Sequence, residues 1–213
     1  MSVLQELSLN VEKGKRKIVP GLVQQALEEG IDPNVILNEG MIEAMGRVGE
    51  AFRKGEIFVP EMLIAAKAMQ AGVAVLKPAL AAEGAVSRGK IILGTVAGDL
   101  HDIGKNLVGM MLESAGFEVI DLGVDVADEV FLDTYAANPD TKIICLSALL
   151  TTTMPAMRST VAKINAAPWR NKVKVMVGGA PITQAFCDEI GADAYCPDAA
   201  SAARTAVAML RGA

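Results

Sequence analysis

Residues 90–116 read KIILGTVAGDLHDIGKNLVGMMLESAG. A short run rich in branched aliphatic residues (90–97) leads into a polar, glycine-bearing loop (98–106), and a helical stretch opens at Lys105. The same strand, loop, helix order recurs to the C-terminus. EVIDLGV (118–124), KIICLSAL (142–149), VKVMVGG (173–179) and ADAYC (192–196) are the other strand-like runs; DEVFLDTYAAN, PAMRSTVAKINAA, TQAFCDEIG and ASAARTAVAMLR are the helical ones. Such alternation predicts a parallel five-stranded sheet covered by helices on both faces. The expected fold over residues 89–213 is a flavodoxin-like (Rossmann-like), doubly wound α/β domain. Ligands of such sheets bind beyond the carboxyl ends of the strands, where strand order reverses. The loops after KIILGTVA, KIICLSAL and VKVMV are therefore where chemistry is expected.

Upstream, the period changes from strand to helix. Met41, Ile42, Met45, Val48, Gly49 and Phe52 recur at three- and four-residue steps, which places them on one helical face. Gly55 breaks that pattern and Pro60 opens the next helix, whose inner side is expected to carry Leu63, Ala66, Met69, Val73 and Leu76. VPGLVQQALEEG and DPNVILNEG, parted by Gly30 and Pro33, supply two more helices. Residues 1–88 thus read as a four-helix bundle, with the turn-rich AEGAVSRG (82–89) as boundary and hinge.

The bulk composition narrows the function classes. Hydrophobic residues are 52% of the 213-residue chain but aromatics only 4%, so the cores are aliphatic and suit helices and α/β layers. A net charge of −5 argues against nucleic acid or an anionic membrane as partner. Lys13, Lys15, Arg16 and Lys17 follow Glu12 and read as one solvated helix face. The N-terminus lacks a signal-peptide pattern, and Gly, Lys or Asp interrupts each apolar stretch before it reaches bilayer length. Cys145, Cys187 and Cys196 form no CxxC pair, which speaks against a disulfide framework or zinc site and for a reducing cytoplasm. With a single histidine, a metal cage built from protein ligands alone is not expected.

That histidine, His101, sits in the first loop. The loop is no dinucleotide fingerprint, since Gly98 and Gly104 stand too far apart. It offers an imidazole, a carboxylate two residues earlier (Asp99), and Gly104, where a close backbone turn is expected. A carboxylate on one ring nitrogen fixes the tautomer and raises the basicity of the other. By position alone, a lone loop histidine is more often a surface side chain than a ligand. Likewise Gly178-Gly179 reads as a turn, and Thr151, Thr152 and Thr153 as a turn into the helix after Pro155.

Three spaced elements change that weighing. Asp99-x-His101-x-x-Gly104, Ser147-x-Leu149 and Gly178-Gly179 resemble the three-part signature of cobalamin-binding domains. Val48-Gly49-x-x-Phe52 through Gly55-Glu56-x-Phe58-Val59-Pro60 resembles the helical cap of methionine synthase and of the corrinoid proteins of methylamine, methanol and O-demethylase systems. The resemblance spans nearly the whole chain, in order.

It implies a cobalamin or related corrinoid bound base-off and His-on, with His101 as the lower ligand to cobalt. Asp99 bonds the imidazole, and Thr153 stands where methionine synthase has a serine that bonds the aspartate. Gly98, Leu100, Asp102, Ile103, Gly104 and Leu149 surround the cofactor. Ser147, Thr151, Gly178 and Gly179 receive its nucleotide tail, with Tyr195 a weaker candidate for the same channel. Phe52 and Val59 cover the upper face; Met45 and Val48 read as ordinary core.

The resemblance further implies a methyl carrier whose cobalt cycles between Co(I) and methyl-Co(III). A substrate:corrinoid methyltransferase loads it, a second methyltransferase passes the methyl group to tetrahydrofolate or coenzyme M, and a reductive activation protein rescues it. The chain itself is a carrier subunit rather than an enzyme, because a (β/α)8 methyltransferase domain takes about 250 residues. A cobalamin-sensing regulator would need a DNA-binding or signalling module, and a mutase small subunit usually lacks the cap. A flavodoxin-like domain without corrinoid leaves the three motifs unexplained.

Overall fold

Ser2 caps the first helix, α1 (Val3–Glu12): its Oγ accepts from the Gln5 amide at 3.3 Å, and Gln5 Oε1 accepts from the Ser2 amide at 3.0 Å. Helix α2 (Val19–Glu28) follows. The basic cluster lies in the turn between them, not on a helix face, because α1 stops at Glu12 and regular helix resumes only at Val19. Asp32 Oδ1 accepts from the Asn34 and Val35 amides and opens α3 (Pro33–Val35). This helix runs through a π-helical segment, Ile36–Ile42, into α4 (Glu43–Arg53). The two helices expected on either side of Gly40 are therefore one. Gly40 is buried, and a Cβ there would stand 2.7 Å from Leu7 Cδ2, so it serves close approach of α1 rather than a stop. The chain turns at Gly55 and continues as α5 (Val59–Ala82).

The computed structural model describes residues 2–82 and 87–211. The chain divides into two compact units, Met1–Val86 with Ser114–Gly116, and Ser87–Glu113 with Phe117–Ala213. The core of the expected hinge, residues 83–86, lies outside the described residues.

Contrary to expectation, one apolar run does reach bilayer length: Val59–Leu80 has 22 residues and a mean hydropathy of 1.4. Lys67 sits on the exposed side of α5 and Gly72 continues the helix, so neither interrupts it. Part of its apolar surface is covered within its own unit, while Val59 and Ile64 are exposed. Met62, Ala65, Ala66, Ala68, Met69 and Leu76 are buried, and α5 packs on α1, α2 and α4. Leu63 and Val73 are only half-buried, so the inner face turns towards Met62 and Ala65.

The second unit alternates as expected: β1 (Lys90–Thr95), α6 (Ile103–Ser114), β2 (Glu118–Asp121), α7 (Asp128–Ala137), β3 (Thr141–Ser147), α8 (Met154–Ala166), β4 (Lys174–Gly178), α9 (Gln184–Ile190), β5 (Ala194–Cys196) and α10 (Ala199–Arg211). The strands form one parallel sheet in the order β2-β1-β3-β4-β5. Ile92, Ile144, Leu146, Val175 and Val177 pack with Phe131, Val161, Ile164 and Phe186 on one face. Ile91, Leu93, Ile143, Cys145 and Met176 alternate with them and are buried on the other. Burial on both faces explains why these strands read as continuous aliphatic runs. Strand order reverses between β1 and β3, the place beyond whose carboxyl ends ligands of such sheets bind.

Candidate functional site

The loop after β1 is folded by its own backbone. Gly98 takes a φ of 81°, which an L side chain rarely adopts, and the Asp99 amide donates to the Val96 carbonyl at 3.1 Å. Thr95, fully buried at the end of β1, donates its hydroxyl to the His101 carbonyl at 3.0 Å. These bonds turn Asp99 inward and His101 outward: the aspartate is fully buried, while 49% of the imidazole side chain stays exposed.

Between the loops after β1 and β3 the buried Asp99 carboxylate is surrounded by donors. Oδ1 accepts from the His101 amide at 3.1 Å and lies 2.7 Å from His101 Nδ1. Oδ2 accepts from the Leu149 amide at 2.7 Å, the Leu150 amide at 3.3 Å and the Thr153 hydroxyl at 2.8 Å. Burial by itself raises the carboxyl pKa. The bonds from Leu149, His101 and Thr153 outweigh that cost and hold it well below the ordinary carboxylate value. An ionised carboxylate only accepts, so the proton between the two side chains belongs to Nδ1. In the neutral ring His101 Nε2 then carries a lone pair that points away from the aspartate, an arrangement shared with metal-ligating imidazoles that have a carboxylate behind them.

The Thr153 hydroxyl thus reaches the carboxylate that contacts the His101 ring. Thr153 Oγ1 also lies 2.9 Å from the Leu150 carbonyl, so its proton is shared between the two acceptors. Its extra methyl faces the glycine: a Cβ at Gly98 would stand 3.7 Å from Thr153 Cγ2. Leu100 and Ile103, close to His101 in the chain, are 72% and 79% exposed, and Leu149 and Leu150 are exposed on the loop after β3. Large apolar side chains left open on the loops around an outward imidazole are a surface that a bound ring-shaped ligand would cover. Gly104 does not make the expected close turn. It is the second residue of α6, and a Cβ there would meet nothing within 4 Å. Asp102 stays local, accepting from Asn106 Nδ2 at 3.1 Å.

Register brings Thr95, Ser147, Gly178 and Cys196 into one row across the carboxyl ends of β1, β3, β4 and β5. Both glycines answer to the backbone there. A Cβ at Gly178 would stand 2.8 Å from the Cys196 carbonyl oxygen, and one at Gly179, whose φ is 125°, would stand 1.8 Å from that of Ala148. Tyr195 does not join the row. It pairs with Val177 and packs against the core of the opposite face. Thr151 is exposed in the single turn of 3-10 helix, Thr151–Thr153, that precedes α8. Phe52 and Val59 belong to the N-terminal unit, the first half-buried and the second partly exposed, and Phe58 beside them is the more exposed aromatic. Sequence reasoning missed Thr95, Asp125 and Lys105. A threonine in an otherwise aliphatic strand was the only signal for the first.

No cluster of three or more His, Cys, Asp or Glu side chains suited to a metal occurs among the described residues. A metal taken by His101 alone must therefore bring its other ligands with it, which is what a corrin ring does. The donor set fits a corrinoid. A B12 binding domain model matches residues 89–208, and a second model of that description matches residues 3–77. Dimethylamine corrinoid protein 1 of Methanosarcina acetivorans is 44% identical over 209 residues, covering 98% of this chain and 97% of its own. A cobalamin-binding protein from Desulfitobacterium hafniense aligns with a TM-score of 0.82 at 32% identity, over 97% of this chain and 98% of that one. A chain of the methanol:cobalamin methyltransferase complex MtaBC from Methanosarcina barkeri aligns at 0.84 and 29% identity, over 99% of this chain and 80% of that one. With a buried aspartate behind an outward imidazole at the sheet's switch point, and with matches along nearly its whole length, this chain belongs to the B12-binding corrinoid proteins.

Proposed function

We propose that this chain is a methyl carrier that holds a corrinoid base-off and His-on, with His101 Nε2 as the lower ligand. Residues 1–88 act as the cap and 89–213 as the cofactor domain. The observation that carries this reading is the 2.7 Å contact from His101 Nδ1 to a fully buried Asp99, which leaves Nε2 free on an exposed ring. When bound, the corrinoid supplies a cobalt that accepts a methyl group and gives it up. Asp99 holds the imidazole in the Nδ1–H tautomer and Thr153 holds Asp99. The ionised Asp99 carboxylate beside the ring would also balance the charge of an imidazolium. Ser147, Thr151, Gly178 and Gly179 receive the nucleotide tail, and Leu100, Ile103 and Leu149 face the ring. Phe52 and Val59, in the N-terminal unit, would be the residues that cover a bound corrinoid.

The partners are a substrate:corrinoid methyltransferase, a methyltransferase acting on tetrahydrofolate or coenzyme M, and a reductive activation protein. The MtaBC complex, in which a relative's structure was solved, supports the first of these. Three buried, free cysteines support a cytoplasmic setting. Reconstitution with hydroxocobalamin tests the reading. The protein should bind about one equivalent, as a single ligating histidine requires, with a His-on, base-off absorbance that His101→Ala loses. An unchanged spectrum in that variant refutes the ligand assignment.

A further inference from the structure

Among the described residues, Asp125 is the one residue other than glycine with a positive φ, 54°. That region is strained for an L side chain, though Asp and Asn tolerate it better than most. Such a conformation persists where its surroundings hold it. Here the contacts converge on one place. The Asp125 amide donates to the Asp99 carbonyl at 2.9 Å, and Asp125 Oδ1 accepts from the Gly98 amide at 2.7 Å.

Its neighbours lace the same two segments together. The Thr95 amide donates to the Gly123 carbonyl, the Val126 amide donates to the Thr95 carbonyl, both at 3.0 Å, and Val126 bridges Val96. The connector between β2 and α7 is itself anchored. Asp121 Oδ1 accepts from the Gly123 amide at 2.9 Å and from Lys105 Nζ at 2.6 Å. Lys105 is buried in the first turn of α6, so the helix that follows the histidine loop reaches the end of β2, where the connector starts. The loop is thus gripped twice: the Asp99 side chain by the loop after β3, and the Gly98–Asp99 backbone by the connector after β2.

We infer that Asp125 is a positioning residue for the ligand histidine: by clamping the backbone of Gly98 and Asp99 it fixes where the Asp99 carboxylate, and with it the His101 ring, stands. The role in ligation rests on the corrinoid reading; the clamp belongs to the cofactor-free chain as well.

Three variants separate the carboxylate from the strain. Asp125→Asn keeps an acceptor and tolerates the left-handed region, Asp125→Gly removes the acceptor without strain, and Asp125→Ala does both harms. The first readout is amide hydrogen exchange of His101 and Leu149 in the cofactor-free protein, normalised to core amides such as Ile144. Both amides donate to Asp99, and no hydrogen bond joins either to residue 125. Exchange at both should rise about tenfold or more in the Gly and Ala variants, the scale of one lost hydrogen bond to a charged group. It should stay near wild type in the Asn variant.

The second readout is the absorbance of each variant saturated with hydroxocobalamin. The His-on signature should weaken in Gly and Ala and be kept in Asn. Unchanged exchange at His101 and Leu149 in Asp125→Gly overturns the inference, as does loss in Asp125→Ala alone, which would assign the effect to backbone strain. If the wild-type protein binds hydroxocobalamin without a His-on spectrum, the ligand reading fails, and hydrogen exchange still decides the clamp.

Discussion

Asp99→Asn tests the site with almost no change of shape. The wild-type carboxylate takes donors at both oxygens, two from His101 at Oδ1 and three from Leu149, Leu150 and Thr153 at Oδ2. An asparagine has one oxygen and one NH2, so one side must set donor against donor. The less costly orientation keeps the oxygen towards Leu149, Leu150 and Thr153 and turns the NH2 to His101. The ring then accepts at Nδ1, its proton moves to Nε2, and the His101 amide loses its acceptor. One part-buried, unsatisfied donor and the lost charge assistance of the remaining bonds together cost about 2–4 kcal/mol at neutral pH. For a unit of this size that lowers the melting temperature by roughly 10 °C.

The penalty should depend on pH in a defined sense. The folded carboxyl pKa is depressed relative to the ordinary value of 3.8, so the stability that Asp99 contributes is complete above that value and drains as pH falls below it. The gap between wild type and Asp99→Asn should therefore be widest near neutrality and close in acid. Denaturant unfolding across pH measures this, and absorbance with hydroxocobalamin reads the tautomer, since a protonated Nε2 offers no lone pair. A variant within about 0.5 kcal/mol of wild type, the scatter of neutral surface changes, and with an unchanged spectrum would show that the carboxylate does not govern the ring.

Thr153→Val removes a donor from Asp99 at constant shape and should lower stability by about 1.5–3 kcal/mol, the value of one hydrogen bond to a charged group. Thr153→Ser should restore most of it, and equal stability of Val and Ser would sink the relay. Gly179→Ala drives a Cβ to 1.8 Å from the Ala148 carbonyl oxygen at a φ of 125°. A cost of about 3 kcal/mol or more is expected, from strain at a special backbone position. Urea unfolding would contradict that account if the loss were under about 1 kcal/mol, the average for an ordinary substitution.

Strand, loop and helix order was legible in the chain because it is short-range physics. Branched aliphatic runs, period-3.6 faces and turn residues act within a few positions, and the five strands lie where those runs stand. Motif spacing likewise marked the Asp99 and His101 loop. What lay beyond it were meetings across the sheet. Asp99 takes its remaining donors from residues 50, 51 and 54 positions away. Asp125 reaches Gly98 across 27. Gly179 is required by a carbonyl on another strand's loop, and Tyr195 lands on the opposite face from Ser147. The run through Gly40 stays helical because α1 needs its missing Cβ, a fact of packing between helices. By itself, then, the sequence determined the order of elements and placed one imidazole and one carboxylate at a strand's end. Only the tertiary structure, by putting β1 between β2 and β3, decided which distant amides bury the charge and so which ring nitrogen faces outward.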